Sequence, residues 1–155
     1  MKDSVSEAAR ILLYEEPDAI ALLSGSDKYP SIRGMASLYS FWQGTLVSIM
    51  VAGLPFTDAP CSERFFAFHL HDKNGHYNPE NCSHPMHAGD FPVLLGNHGC
   101  ALMVFYTERI LPEQAAGKTL VIHANADDFH TQPSGNAGEQ IATGEVYLNS
   151  EIIPR

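Results

Sequence analysis

The sequence predicts an all-β domain: a Greek-key β-sandwich or barrel of about eight antiparallel strands, with long loops and a short N-terminal helix. Three observations point there. Runs rich in Val, Ile, Phe, Tyr and Thr recur along the chain. Clusters of Gly, Pro, Asn and Asp separate them. With 155 residues, 45% of them hydrophobic and 17% charged, the chain has the size and composition of one globular domain, able to bury a core without a metal merely to fold.

The first element is the exception to the β pattern. Ser4 and Glu7 stand at the spacing of a capping box, and Val5, Ala8, Ile11 and Leu12 fall on one stripe. This predicts a short helix over residues 5–14 that Pro17 ends. Residues 1–18 therefore read as an N-terminal extension and residues 19–155 as the β domain. Strands are expected in AIALLSGS from Ala19, in the two halves of MASLYSFWQGTLVSIMVAGLP joined at Gln43-Gly44, and in RFFAFHLH, CALMVFYTE, KTLVIHANA and QIATGEVYL. The stretches between His71 and Gly99 and between Asp127 and Gln140 are long for connections in a compact domain, and loops of that length are usually functional or disordered. Their histidines favour function.

Nine Lys and Arg against eighteen Asp and Glu give a net charge of -9. A nucleic-acid partner is excluded in practice, because phosphate neutralisation needs clustered cations. Glu7, Arg10, Glu15 and Glu16 break up any signal core, and no run approaches the ~20 apolar residues of a membrane span. The expectation is a cytoplasmic protein without a membrane partner, export after removal of a signal being the alternative. Three cysteines are too few for a disulfide scaffold. Cys61 and Cys100 read as small buried residues.

The stretch HLHDKNGHYNPENCSHPMHAGD, from His69 to Asp90, holds five histidines and three acidic residues in twenty-two positions. On a strand, residues two apart share a face, so His69 and His71 project together while Leu70 points away. That is a two-nitrogen start for a metal site. His76 follows, then His84, His87 and Asp90, the last two spaced for a single turn. His123, on a different expected strand, can complete a four-nitrogen set with His69, His71 and His76. Imidazole with carboxylate suits zinc, and imidazole without thiolate suits copper(II), so two sites are expected. Cys82 is the alternative thiolate ligand. His98 and His130 have no spacing partner and are read as surface residues.

The motifs FHLH, GHYNP, HAGD, VIHANADD and SGNAG, in that order, make the sequence resemble the copper/zinc superoxide dismutase family, in an atypical bacterial form. The resemblance covers Ala19 to Val146. It implies copper at His69, His71, His76 and His123, and zinc at His76, His84, His87 and Asp90, with His76 as catalytic bridge. It further implies that Asp127 links a copper ligand to a zinc ligand through hydrogen bonds. The substrate so implied is the superoxide anion, converted to dioxygen and hydrogen peroxide. A homodimer is left open.

Two departures from the family pattern stand out. Gln140 occupies the position of the arginine that guides the anion, so turnover slower than the family's is expected. Thr143 replaces one cysteine of the usual disulfide, and DKNG shortens the loop that carries the other. The metals, Lys118, Arg109 and His130 are the remaining candidates to focus the anion. Only Pro85 and Met86 separate His84 from His87, which makes His84 the least secure ligand. The competing reading is a copper- and zinc-binding buffer or carrier of the same fold. A cupin-like enzyme also begins with HxH, but no glutamate follows at the short spacing such sites need.

Overall fold

The computed structural model describes residues 4–62 and 64–152. Helix α1 (Ser4–Tyr14) opens the chain. Ile11 is its buried residue and packs with Tyr39, Phe41 and Leu46 in a small cluster separate from the main core. Glu7 is engaged by the Arg10 guanidinium at 2.9 Å.

The strands are β1 (Ala19–Gly25), β2 (Arg33–Phe41), β3 (Gly44–Ala52), β4 (Arg64–Phe66), β5 (Phe68–Asp72), β6 (Gly75–His76), β7 (Leu94–Gly96), β8 (Cys100–Thr107), β9 (Thr119–His123) and β10 (Gln140–Leu148). Short helices α2 (Pro112–Ala115) and α3 (Asn149–Ile152) complete the described chain. Eight strands form one antiparallel sheet in the order β6-β5-β9-β10-β1-β2-β3-β8, and β4 pairs with β7 in a second. The order is not sequential, since β9 and β10 insert between β5 and β1, as the expected Greek-key class requires.

Alternation decides which face is buried. Along β1, Ala19, Ala21 and Leu23 point inward while Leu22 points out; along β3, Val47, Ile49 and Val51 point inward while Met50 points out. The inward side chains join Phe66, Phe68, Leu70, Leu94, Leu120 and Ile122 in one core. Truncating a fully buried residue such as Phe68 to Ala would cost about 3–5 kcal/mol.

Three local expectations need correction. RFFAFHLH is not one strand. Its first part pairs with β7 and its second with β9, and at Ala67 the chain crosses between sheets, the Ala67 N–H donating to Asn125 O at 2.7 Å. The β2–β3 hairpin turns at Trp42-Gln43, because Phe41 pairs with Gly44. Cys61 and Cys100 are exposed rather than buried. Cys61 sits in a turn at φ 58°, Cys100 is on the outer face of β8, and all three cysteines are free thiols.

Candidate metal centre

Strand alternation places the first candidate ligands. Phe68 and Leu70 enter the core, which sends His69 and His71 to the opposite face of β5. His76 is the cross-strand partner of His71 in the β5–β6 hairpin. On β9 the residue opposite His69 is Val121, so His123, two positions on, shares that face. Directly across from His123 lies Gln140, where a register irregularity in β10 lets Ile141 and Ala142 both turn inward. His84, His87 and Asp90 come from the irregular loop after β6, which folds back so that Asp90 bridges to His69.

These residues form two groups of four: His69, His71, His76 and His123, and His76, His84, His87 and Asp90. Within each group the candidate ligand atoms all lie within 4.8 Å of one another. His71 Nε2 is 3.4 Å from His123 Nε2. In the second group His76 Nδ1 is 3.4 Å from His87 Nδ1, and Asp90 Oδ2 lies 3.1 Å from His84 Nδ1 and 3.2 Å from His87 Nδ1. A tetrahedral ion with bonds of about 2.0–2.1 Å holds its ligands about 3.3–3.4 Å apart, so these separations suit one. His76 is common to both groups.

Three of the remaining ring nitrogens are tied down. His69 Nε2–H donates to Asp127 Oδ2 at 2.7 Å, and His84 Nε2–H donates to Asp127 Oδ1 at 2.9 Å. His123 Nδ1–H donates to the Gly138 carbonyl at 2.9 Å. Such outer partners fix tautomer and ring orientation, leaving the other nitrogen as an unprotonated donor of electrons. Asp127 is itself held by the Phe129 backbone N–H at 2.7 Å.

Burial keeps His69, His71 and His123 neutral. Burial, reinforced by the other imidazoles, lowers His69 to about 4 and His71 to about 3, and burial lowers His123 as well. Burial alone would raise Asp90, but hydrogen bonds from His76 and the His87 backbone N–H outweigh it and hold the carboxyl at about 2. Asp127 is likewise pushed up by burial and brought below its ordinary value by the Phe129 N–H and its two histidines. At neutral pH the result is uncharged His69, His71 and His123 near the Asp90 and Asp127 carboxylates, the protonation state that metal ligation requires.

Buried orphan nitrogens test whether a metal fits. His69 Nδ1, His76 Nε2 and His84 Nδ1 are buried and make no hydrogen bond. Leaving such groups unsatisfied costs about 1–3 kcal/mol each, and all three belong to the two groups of possible ligands. The donor set therefore fits copper on the all-imidazole side and zinc on the side that includes Asp90.

Residues 44–146 match the family model for copper/zinc superoxide dismutase. The chain belongs to the copper/zinc superoxide dismutase family. Superoxide dismutase (Cu-Zn) 2 of Aquifex aeolicus strain VF5 is 31% identical over 141 residues, covering 74% of this chain and 79% of the relative. Superoxide dismutase-like protein YojM of Bacillus subtilis strain 168 is 32% identical over 112 residues, 54% of this chain and 56% of the relative. The crystal structure of a SOD-like protein from Bacillus subtilis superimposes with a TM-score of 0.67 at 24% identity, over 81% of this chain and 96% of that one, a likeness of fold. The cofactors of the copper/zinc superoxide dismutase family are copper and zinc, in agreement with the donor set.

Against the family pattern, the mouth beside His71, His76 and His123 is unusual. Its cavity of about 550 Å³ is lined by polar residues that include Asp72, Asn74, Asn78 and Gln140, with no Lys or Arg among them. Arg109, Lys118 and His130 do not supply the missing charge there. Arg109 hydrogen-bonds the loop carbonyls of Pro85 and His87, Lys118 lies 4.4 Å from the Tyr77 ring centroid, and His130 turns to Asp128. Cys82 is exposed and takes no part in either group; its backbone is capped by Asn78. His98 is exposed beside Asp58. Pro85 and Met86 do not keep His84 and His87 apart, for both Nδ1 atoms meet Asp90.

Sequence reading missed Gly138, whose carbonyl orients His123, and Gln132, which grips the backbone of His84 through both its N–H and its C=O. Neither had a spacing signal. A carbonyl is offered by every residue, and Gln132 acts from 48 positions away.

Proposed function

We propose that this chain is a superoxide dismutase, holding copper through His69 Nδ1, His71 Nε2, His76 Nε2 and His123 Nε2, and zinc through His76 Nδ1, His84 Nδ1, His87 Nδ1 and Asp90. One observation carries the reading: His76 belongs to both groups, its Nδ1 lying beside His87 Nδ1 and Asp90 while its Nε2 is buried without a hydrogen-bond partner. When bound, copper supplies the one-electron exchange that turns one superoxide into dioxygen and a second, with two protons, into hydrogen peroxide, while zinc is redox-silent.

The chain's own residues then have separate tasks. His76 Nδ1 stands 2.6 Å from Asp90 Oδ1, so this end of the ring stays anchored. Its Nε2, buried without a partner, would hold copper and, whenever that bond is released, would be free to hold a proton at the site. Asp127 keeps His69 and His84 in the tautomers ligation needs. Burial of the rings limits water, and the mouth lined by Gln140 and Asn74 admits small polar species.

Superoxide consumption by the copper- and zinc-reconstituted protein tests the proposal. The expected result is metal-dependent activity below that of a protein with a guiding arginine. A second reading has its own support: the mouth lacks a cation among its lining residues, and one relative is named only dismutase-like. On that reading the chain binds both metals as a buffer or carrier. Full occupancy without superoxide consumption would establish it and reject the enzyme.

A further inference from the structure

We propose that Arg109 is a positioning residue for the group His76, His84, His87 and Asp90, holding the His84–His87 turn in place of the covalent tie this chain lacks. The proposal rests on the reading of that group as a zinc site.

The turn supplies two of the four ligands from a segment outside any strand. Strand pairing therefore does not fix its backbone. Arg109 does so from the connection between β8 and α2: its guanidinium donates to the carbonyls of Pro85 at 2.9 Å and His87 at 3.2 Å. The two acceptors flank Met86, so one guanidinium nitrogen, Nη1, spans the turn that separates the two imidazoles, while Nη2 lies 3.7 Å from Met86 Sδ. From the other side, Gln132 accepts from the His84 N–H at 3.0 Å and donates to the His84 carbonyl at 2.7 Å. Cys61, Cys82 and Cys100 are all free, so among the described residues no disulfide shares this work.

Guanidinium geometry matters here. Its donors lie in a rigid plane and are little disordered once bonded, whereas an ammonium on a flexible stem fixes direction poorly. Arg109 also lines a cavity of about 470 Å³ together with Phe91, Phe105, Phe129 and Asp90. Because Arg109 is exposed, its bonds contribute little to global stability. Ligand placement is more demanding, since loss of a partner that orients ligands typically weakens metal binding ~10- to 100-fold. The expected signature is poor zinc retention on an intact fold.

The test uses the copper- and zinc-loaded protein with three substitutions: Arg109→Ala, Arg109→Lys and, as control, Arg33→Ala. Arg33 also donates to two carbonyls, Pro30 O and Ile32 O, and none of these residues belongs to either group. Zinc release to a chromogenic chelator is followed in time, and the metal-free proteins are melted in parallel. Arg109→Ala is expected to release zinc ~10-fold faster, Arg109→Lys to fall between, and Arg33→Ala to match the wild type, with the metal-free Arg109 variants melting like the wild type. Release from Arg109→Ala at the wild-type rate overturns the proposal. So does equal destabilisation of its metal-free and zinc-loaded forms, the mark of a merely structural role. Should Arg109→Ala fail to fold, Arg109→Lys decides by the same criteria. A wild-type protein that takes up no zinc refutes the zinc reading, and this inference with it.

Discussion

His69 and Asp90 face each other across an isolated antiparallel bridge, one residue from each of the two four-residue groups. The Leu70 N–H donates to the Gly89 carbonyl at 2.9 Å beside it, so the loop that carries His84, His87 and Asp90 is stitched to β5 at the point where the groups meet. His76 spans the same junction, with Nδ1 2.6 Å from Asp90 Oδ1 and its ring centroid 3.9 Å from that of His69. The two groups are thus one unit mechanically, and disturbing the shared ring should disturb both.

His76→Ala is accordingly expected to lower copper and zinc content together, whereas His87→Ala should deplete mainly zinc. Elemental analysis of the reconstituted proteins, with the electron paramagnetic resonance spectrum of copper, checks this. In His87→Ala the copper signal should persist with altered parameters. Copper and zinc lost independently in His76→Ala would mean that the ring is not shared.

Much of this centre was legible in the sequence because strand geometry is periodic. HxH on β5 fixes the shared face of His69 and His71, and the strand character of TLVIH brings His123 to it without further information. Asp127 was legible only through the resemblance, since its role depends on two rings 58 and 43 residues away. The break at Ala67 was hidden, because RFFAFHLH has one continuous apolar character and the partner strands decide where it divides. The exposure of Cys100 was hidden for a similar reason: its face is set by the pairing with Ala52, and pairing is not written in local composition.

Gln140→Arg should restore attraction for an anion. Gln140 is the cross-strand neighbour of His123 and lines the mouth, so a guanidinium there would stand beside the proposed copper ligands. Steering gains range from about 10- to 1000-fold, and for one added charge the lower end is expected. The increase should shrink as salt rises, because screening shortens the reach of the charge. Stopped-flow superoxide decay at low and high ionic strength measures it; a gain independent of salt would point to a contact rather than a field.

The metal-free protein should lose stability steadily as pH falls. His69 is held at about 4 and His71 at about 3 in the folded chain, against an ordinary value of 6.5, by burial and neighbouring imidazoles. Between about 6.5 and about 3 the unfolded chain therefore binds protons that the folded chain refuses, and folding weakens through that window. Asp90, at about 2 rather than 3.8, extends the loss further into acid. Urea midpoints of the metal-free protein across this range should fall monotonically with acidification; a flat profile between pH 7 and 4 would contradict the assigned burial.

Gly135→Ala offers a sharper probe of the Asp127 link than replacing Asp127 itself. Gly135 adopts φ +68°, and a Cβ there would lie 1.9 Å from Asp127 Oδ1 and 2.8 Å from His84 Nε2. The methyl group would therefore strike the carboxylate oxygen that holds His84, and Asp127 would have to turn away. Gly117 is the natural control, with φ +73° and nothing within 4 Å of its added Cβ. Both substitutions bear the same backbone cost, about 1–2 kcal/mol for an L-residue in the left-handed region, and both should lower the melting temperature of the metal-free protein. Only Gly135→Ala should also weaken metal binding, by ~10-fold or more, because only it separates an orienting carboxylate from a ligand. Chelator competition on the two variants reads the difference. Equal metal affinities would show that Asp127 does not set the orientation of His84.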